Sequence, residues 1–366
     1  MKKKVFHLML VFLVILISYL IIGIWGLIEI KTNDVLLFKN KIDLKFHQRY
    51  SDKVHHLRDV NKWGNKENEY LFSQVIFDKN FSKSILLQGD SWIEDISNIE
   101  TSKQFVKEFG KKNQFNIYNA GITSFAPSVM HSQYKILKDT FKIYPEILII
   151  YIDQTDIGDE NCRYKHNKIY SSEGNFLRVQ REKYTRATYD YTKIYLYSEL
   201  NFDNNILRII KFPYLKIRYF LKRNLEILKQ IKIKGYKHRN ENKCGFYEIM
   251  KELINLNPVA EKNFKKSLKE YLDFLYNEKE IKKIYLISFP HINHHKNIYK
   301  VNVSKYIDEV LKSTNDLRLR HLNMNQLDFS KIEVDDIYRK NDAGSHLNKQ
   351  NHINLFLKNI FNKIED

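Results

Sequence analysis

The sequence predicts an α/β fold, a parallel β-sheet covered by helices, with an N-terminal transmembrane helix and a helical insertion. Three observations lead to this prediction. Short apolar runs that end in polar turns alternate with helical patterns, which is typical of βαβ units. An almost uninterrupted apolar run covers Val5 to Ile28. Residues 160–258 break the alternation and are rich in Tyr, Lys, Arg and Asn.

The first element is the apolar run, which is long enough to cross a bilayer. At about 1.5 Å per residue it matches a hydrocarbon core of about 30 Å. No small-residue cleavage site precedes Glu29, and the run is longer than a usual signal-peptide core, so we expect an uncleaved signal anchor. Lys2, Lys3 and Lys4 favour a cytoplasmic N-terminus. The rest of the chain is then expected outside the cytoplasm, in the periplasm or at the cell surface.

The remaining elements follow in order along the chain. Residues 29–80 are mixed and polar, with a turn predicted at Trp63-Gly64-Asn65, and are interpreted as a stem and lead-in. Strands are predicted at 84–88, 115–118, 147–152, 281–288 and 317–322. Helices are predicted at 95–110 (ended by Gly110), 127–142, 260–278, 301–313 and from residue 351. The predicted domains are an anchor (1–28), the stem (29–80), a sheet domain (81–160 and 280–366) and a mainly helical insertion (161–279).

The insertion carries a strongly basic segment at 206–233. Apolar residues recur there at helical intervals among many cations, and Pro213 is expected to break or kink the helix. One interpretation is an amphipathic helix on an anionic membrane surface. The other is a helical subdomain whose cations face water. The net charge of +18 also permits nucleic acid as a partner, but no nucleic-acid-binding motif is found, so none is predicted.

The cysteines and clustered histidines give little chemistry. Cys162 and Cys244 are free to pair outside the cytoplasm or to stay unpaired, and the sequence leaves this open. Neither belongs to a His/Cys cluster at ligand spacing. His294-His295 lies in a polar stretch typical of a solvated loop. No metal or organic cofactor is therefore predicted.

A candidate nucleophile follows the first core strand. The run Ile85–Leu87 leads directly into Gly89-Asp90-Ser91, as when a buried parallel strand ends in a tight turn. Ligands of open α/β sheets bind beyond the carboxyl ends of the strands, so a serine there is well placed for attack. The alternative is a polar turn in which Ser91 caps the next helix.

A serine nucleophile needs a base, and the base needs a group that orients it. His346 lies in a polar loop before the last helix, and Asp342 is near enough in sequence to hydrogen-bond its ring. His291 follows a strand and Pro290, and is an alternative base on the same rim. His352 is predicted to belong to the last helix, and is a weaker alternative.

Taken together, these blocks resemble the SGNH/GDSL hydrolase superfamily. They are Gly89-Asp90-Ser91, Gly121 after the second strand, Asp156 after the third, and Asp342 with His346 near the C-terminus. The resemblance spans residues 82–160 and 280–360, with the middle as an insertion. It implies a flavodoxin-like three-layer α/β/α fold and a serine nucleophile that acts on esters.

The resemblance also implies roles for individual positions. Ser91 matches the nucleophile, His346 its base and Asp342 the orienting carboxylate, with Asp336 in reserve because one extra residue separates Asp342 from His346. The N–H groups of Ser91 and Gly121 match two oxyanion-hole donors. Thr155 stands where the superfamily has an asparagine, the third donor. Asp90 and Asp156 are expected to support the site.

The predicted function is a membrane-anchored ester hydrolase, an esterase or deacetylase, that acts on an acylated envelope or cell-surface glycan. An O-acyltransferase using the same acyl-enzyme is an alternative. A catalytically silent glycan-binding or assembly protein is another, favoured by Thr155. A third is a membrane-surface scaffold that works through residues 206–233.

Overall fold

The computed structural model describes residues 2–32, 49–50, 53–58, 67–180, 205–234, 244, 246–255, 257–329, 332–340, 342 and 345–365. The turn predicted at 63–65 lies outside these residues. The chain forms two compact units. The helical unit comprises Met1–Ser51, Val60–Glu67 and Glu182–Glu241, and the sheet unit comprises Asp52–Asp59, Asn68–Arg181 and Asn242–Asp366.

The strands and helices have the following bounds. The strands are β1 (Ser73–Ile76), β2 (Lys83–Gly89), β3 (Phe115–Gly121), β4 (Ile147–Tyr151), β5 (Lys168–Tyr170), β6 (Phe176–Val179), β7 (Lys283–Ser288) and β8 (Leu319–Asn323). The α-helices are α1 (Lys2–Thr32), α2 (Ser91–Asn98), α3 (Glu100–Asn113), α4 (Pro127–Phe141), α5 (Asp156–Gly158), α6 (Asn205–Lys234), α7 (Phe246–Ile254), α8 (Pro258–Tyr276), α9 (Ile292–His295), α10 (Val303–Lys312), α11 (Val334–Ile337), α12 (Lys349–Asn351) and α13 (Lys358–Glu365). Short 3-10 helices cover Glu67–Tyr70 and Met324–Gln326, and π-helical turns cover Asp159–Tyr164 and His352–Leu357.

The main sheet has six strands in the order β1-β3-β2-β4-β7-β8. The last five of these strands are parallel, while β1 pairs antiparallel with β3 at one edge. The parallel part, β3-β2-β4-β7-β8, has the strand order of flavodoxin-like folds. In this order β3 pairs on one side of β2, and the chain then reverses so that β4, β7 and β8 follow on the other side of β2. The predicted α/β fold is therefore confirmed. The carboxyl ends of β2, β3 and β4 meet at this reversal.

Helices cover both faces of this sheet, because the strands are apolar on both sides. On one face, β-strand residues such as Leu87 and Ile149 form one core with α2, α3 and α13. On the other face the buried Gln88 side chain bonds Gln133 of α4 and Tyr271 of α8. Because Gln88 satisfies its amide on two helices, it fixes both against the sheet.

Three strands, β1, β5 and β6, lie in regions where no strand was predicted. The strand β1 falls in the predicted stem, and its four residues are too few to show a period. The antiparallel hairpin β5–β6 falls in the insertion predicted to be mainly helical. Its turn places Gly174 at φ 84°, a conformation that favours glycine. The helix α8, also assigned to the insertion, belongs to the sheet unit.

Two helix predictions need correction. The helix predicted at 95–110 is two helices, α2 and α3, with Ile99 in extended conformation between them. The second passes Gly110 and ends at Asn113, followed by Gln114 in a left-handed conformation. Pro213 does not end α6, which is one helix from Asn205 to Lys234.

The two cysteines form a disulfide bond. Cys162 and Cys244 have Cα atoms 5.6 Å apart and are separated by 82 residues in sequence. The bond answers the question that the sequence left open. It closes a loop of the chain from Cys162 to Cys244, which contains α6. Both cysteines belong to the sheet unit, so the bond holds the two ends of this loop together there.

Among the described residues, one helix is long and apolar enough to cross a membrane. It is the part of α1 from Val5 to Gly26, with a mean hydropathy of 2.9 and no buried residues in its most apolar window.

Candidate active site

The strand β2 delivers Ser91 to the carboxyl edge of the sheet. The strand ends at Gly89, and Asp90 caps α2 by accepting the N–H of Trp92 at 2.9 Å. Asp90 is therefore the N-cap, whereas Ser91, the residue expected to cap in the alternative interpretation, is the first helical residue with its side chain part-exposed. A side chain on the first turn of a rigid helix is held in one place, as a nucleophile must be.

His346 and Asp342 complete a chain of hydrogen bonds with Ser91. Ser91 Oγ lies 2.6 Å from His346 Nε2, and Asp342 Oδ2 lies 2.7 Å from His346 Nδ1. A carboxylate only accepts, so Nδ1 carries the ring proton and Nε2 is left to accept the serine hydroxyl. The reserve candidate Asp336 is exposed, and its backbone carbonyl accepts from Asn348.

Contacts from a neighbouring segment hold the His346 loop. The backbone N–H of Arg339 donates to the carbonyl of His346 at 2.8 Å, and its side chain donates to the carbonyl of Leu347 at 3.1 Å. The same guanidinium pairs with Asp95, one turn beyond Ser91 on α2. Arg339 therefore ties the loop that carries His346 to α2, the helix that carries Ser91.

The three predicted oxyanion donors differ in their availability. Within the described part of the chain, no acceptor receives the N–H of Ser91, as expected in the first turn of a helix. The N–H of Gly121 donates to Asn119 Oδ1 at 2.9 Å. The N–H of Thr155 donates to Asp153 Oδ2 at 3.0 Å, and its hydroxyl donates to the same oxygen. The geometry therefore supports Ser91 as a donor and gives Gly121 and Thr155 other partners.

A different amide is unpaired in the loop after β3. Ser124 has φ 64°, a left-handed conformation that is uncommon for residues other than glycine. Its N–H meets no acceptor among the residues that the structure describes, whereas the N–H of Thr123 donates to Glu94 Oε2 at 2.8 Å. Arg58 also holds this loop, donating to the carbonyl of Gly121 at 2.6 Å. Because Glu94 lies on α2, the loop is fixed directly to the nucleophile helix.

Trp92 forms an apolar floor beneath the triad. It is almost fully buried, and its ring centroid lies 5.2 Å from that of Tyr151 and 6.3 Å from that of His346. On the same ring lies His291, nearly parallel at 6.4 Å. The Trp92 ring therefore lies between two histidine side chains, His291 and His346.

His291, the alternative base, lies in the interior. Its Nε2 is 2.8 Å from Asp153 Oδ1, and both side chains are buried. Burial alone would raise the pKa of Asp153, but the His291 charge and the hydrogen bonds from His291 and Thr155 lower it below its ordinary value. The pair is a second His–Asp dyad, separate from Ser91.

The two carboxylates expected to support the site have raised pKa values. Burial raises the pKa of Asp90 well above its ordinary value, and the charge of Asp153 adds to the shift. Burial, Asp153 and Asp90 do the same for Asp156. Asp156 Oδ2 accepts the N–H of Asp153 at 3.2 Å. Each carboxyl therefore supports the site by accepting a backbone N–H. Asp90 accepts that of Trp92, next to Ser91, and Asp156 accepts that of Asp153, in the loop after β4.

His352, the other alternative base, joins α2 to the C-terminal helices. Its Nδ1 lies 2.8 Å from Ser102 Oγ, and its Nε2 lies 3.1 Å from the carbonyl of Trp92. Burial lowers its pKa to about 4, so it is neutral in the folded protein near neutral pH. Its hydrogen bond to Trp92 fixes the residue next to Ser91.

The sequence did not reveal four of the side chains that hold the site: Arg58, Glu94, Asp95 and Arg339. Glu94 and Asp95 carried a usable signal, since they lie within about one helical turn of Ser91. The two arginines carried none, because Arg58 bonds Gly121 across 63 residues and Arg339 bonds Asp95 across 244 residues.

Comparisons with known proteins give remote structural similarity. No protein-family model matches this chain, and no curated protein matches it. A family two carbohydrate esterase from Clostridium thermocellum has a TM-score of 0.36 at 9% identity, covering 79% of this chain and 65% of its own, less than two thirds of its length. Axe2, an acetylxylan esterase from Geobacillus stearothermophilus, has a TM-score of 0.37 at 10% identity, covering 78% and 95%. Est2A, an acetyl xylan esterase from Butyrivibrio proteoclasticus, has a TM-score of 0.36 at 8% identity, covering 79% and 64%. Similarity at this level assigns no activity to the present chain.

Proposed function

We propose that the protein is a membrane-anchored serine ester hydrolase that removes acyl groups from a glycan of the cell envelope. One observation carries the proposal: Ser91 Oγ, the His346 ring and Asp342 form a continuous hydrogen-bonded chain at the carboxyl edge of a parallel sheet. Ser91 and His346 are 255 residues apart in sequence. The nucleophile, base and orienting group are the parts that serine acyl transfer needs.

Acylation begins with attack of Ser91 Oγ on the ester carbonyl carbon. His346 Nε2 takes the hydroxyl proton as the new C–O bond forms, and Asp342 stabilises the resulting imidazolium. The tetrahedral intermediate then collapses. The bond to the leaving alcohol breaks, and His346 gives the proton to that alcohol oxygen.

The intermediate carries a negative oxygen that needs hydrogen-bond donors. The unpaired N–H of Ser91 is one, at the N-terminus of α2, where the helix dipole also favours negative charge. The unpaired N–H of Ser124 is proposed as the second, because its loop is bonded to α2 through Glu94. Arg58 keeps that loop in place.

Deacylation repeats the sequence with water as the attacking group. Water adds to the acyl carbon, His346 takes its proton and returns it to Ser91 Oγ, and the carboxylic acid is released. No step requires a metal ion. The described residues include no group of three or more His, Cys, Asp or Glu side chains placed to hold one.

The proposed location rests on the helical unit and the disulfide. The segment Val5–Gly26 has the length and composition of a membrane span, and the lysines before it favour a cytoplasmic N-terminus. The Cys162–Cys244 disulfide supports an oxidising compartment for the sheet unit. A site tethered there meets acylated glycans of the envelope, which is the reason for proposing this substrate class.

A fluorophosphonate probe tests the nucleophile in the full chain purified in detergent. We expect labelling of the native protein and of Ser172→Ala, a matched control in an exposed turn, and no labelling of Ser91→Ala. Hydrolysis of p-nitrophenyl acetate should follow the same order. Labelling that persists in Ser91→Ala, or its absence in the native protein, would refute the proposal.

A second assay separates hydrolysis from acyl transfer. The enzyme is given p-nitrophenyl acetate with and without an unacetylated oligosaccharide, and the products are analysed by mass spectrometry. A hydrolase releases acetate at the same rate in both reactions. Acetylated oligosaccharide, with less free acetate, would instead identify an O-acyltransferase.

A further inference from the structure

The helix α6 carries an exposed apolar face that α1 does not cover. Ile206, Ile210, Tyr214 and Ile217 are spaced at four, four and three residues, so they share one face of the helix. Each is between 48% and 66% exposed. Exposed apolar side chains in a continuous row indicate a surface that contacts something other than water.

The first turns of α6 pack closely on the end of the apolar span of α1. A Cβ on Gly23 would lie 2.3 Å from the Ile209 carbonyl oxygen, and one on Gly26 would lie 2.4 Å from the Phe212 ring. Tyr19 donates its hydroxyl to the Ile210 carbonyl. Small residues that admit a neighbouring backbone are typical of helix contacts in membranes.

Pro213 explains why the Ile209 carbonyl is available for this contact. Proline has no N–H, so the carbonyl four residues earlier loses its helical donor. That carbonyl lies against Gly23 rather than against an apolar side chain. Proline is tolerated in membrane helices where a neighbouring helix covers the freed backbone group.

The direction and depth of α6 follow from these contacts. Gly23 and Gly26 are three residues apart, as are their partners Ile209 and Phe212, so the two helices run in the same direction. The span Val5–Gly26 has 22 residues and is about 33 Å long, close to the thickness of a hydrocarbon core. Gly26 therefore marks one boundary of the bilayer, and Phe212 lies at the same boundary.

Cations flank the apolar face at this depth. Lys211 and Arg218 are seven residues apart on one side of it, and Lys216 is on the other; all three are exposed. An apolar stripe between basic flanks is the pattern of helical segments that contact a headgroup region, with cations reaching to lipid phosphates. The pattern fits an anionic surface, which attracts basic segments next to a membrane span.

We infer that the first turns of α6, from Asn205 to Arg218, are embedded at the headgroup boundary of an anionic bilayer beside α1. The inference rests on the proposed anchoring by α1 and adds a second membrane contact. It gives the helical unit a second contact with the bilayer, next to the membrane span.

Depth-dependent quenching tests this in the full chain, reconstituted into phosphatidylglycerol vesicles. Both native cysteines are in the disulfide, so one introduced cysteine is the only thiol for a bimane label. Labels at Ile210→Cys and Ile217→Cys should be quenched by lipids with a doxyl group near the headgroup and protected from aqueous iodide. Lys79→Cys, on an exposed turn of the sheet unit, serves as the aqueous control, and Leu16→Cys reports the anchor.

The outcomes separate the anchor from α6. Quenching by lipid at Leu16→Cys but by iodide at Ile210→Cys and Ile217→Cys would overturn the inference and leave the anchoring intact. Iodide quenching at all three would overturn both. Quenching by lipid at all three labelled positions supports both the anchor and the inference on α6. When the protein also carries Lys211→Glu/Arg218→Glu, the lipid quenching should be lost at Ile217→Cys alone. Equal quenching in phosphatidylcholine vesicles would refute the requirement for anionic lipid.

Discussion

Replacing Asp342 with asparagine tests the orienting carboxylate most directly. During attack His346 becomes an imidazolium, and Asp342 Oδ2 is 2.7 Å from its Nδ1. The two charge centres are then about 4 Å apart, and at an effective dielectric constant of about 20 their attraction is about 4 kcal/mol. Both side chains are about one-fifth exposed, so partial solvation is already part of that dielectric constant. A barrier raised by about 4 kcal/mol lowers kcat about 10³-fold.

The assay is steady-state hydrolysis of p-nitrophenyl acetate by the full chain in detergent. Asp342→Asn should lower kcat with little change in KM, because the lost attraction exists only once the imidazolium forms. Asp336→Asn is the matched control, since Asp336 is an exposed carboxylate in the segment leading to the same loop. Equal losses in both variants, or none in Asp342→Asn, would refute the reasoning.

Three further predictions concern the supports of the site and the fold. Arg339→Ala removes the side-chain bonds to Leu347 and Asp95. The kcat should fall about 10²-fold because His346 is misplaced, while KM and the circular dichroism spectrum stay native. An unchanged kcat would show that the His346 loop keeps its position without Arg339. Cys162→Ser/Cys244→Ser opens a loop of about 82 residues and should lower the free energy of unfolding by about 4.5 kcal/mol in urea titrations, whereas an unchanged midpoint would contradict the chain-entropy account. His352 has a folded pKa of about 4 against an ordinary value of 6.5, so the unfolded chain binds its proton first and stability falls as the pH drops through that interval. The unfolding free energy should fall by about 2 kcal/mol between about pH 7 and pH 5. His352→Gln should flatten the slope of the unfolding free energy against pH. An equally steep slope in this variant would assign the pH dependence to other histidines.

The sheet could be predicted because buried parallel strands have a strong local signature. The runs at 84–88 and 147–152 are apolar on both faces and end in polar turns, and both are strands in the structure. The edge strand β1 lacks this signature, because it is short and one side of it is open. The hairpin β5–β6 was hidden for a similar reason, since its strands have only three and four residues and show no clear alternation of apolar and polar positions.

Ser91 and His346 could be proposed from sequence because each lies next to the recognisable start of a helix. Ser91 begins the helix after the first core strand, and His346 precedes the closing helices. Their separation in space depends on the whole sheet, so the sequence alone gave no distance. The link between Arg339 and Asp95 had no local signal at all.

The predicted oxyanion donors Gly121 and Thr155 have other partners for one shared physical reason. An Asn or Asp side chain often accepts the backbone N–H two residues later, which forms an Asx turn. Asn119 takes the N–H of Gly121 in this way, and Asp153 takes that of Thr155. Both pairs are visible in the sequence, and recognising the turns would have predicted that these two N–H groups already have partners.

Two His–Asp pairs lie near Trp92, and burial decides which one can act as the base. Both imidazoles hold a carboxylate at 2.7–2.8 Å, so hydrogen bonding does not distinguish them. The His291 side chain is fully buried, so it presents no surface to a substrate from solvent. His346 is part-exposed, and its second nitrogen already bonds Ser91 Oγ. The inner pair therefore bonds the loop after β4, and of the two pairs it is the outer one whose geometry fits the proposed proton transfer between Ser91 and a substrate.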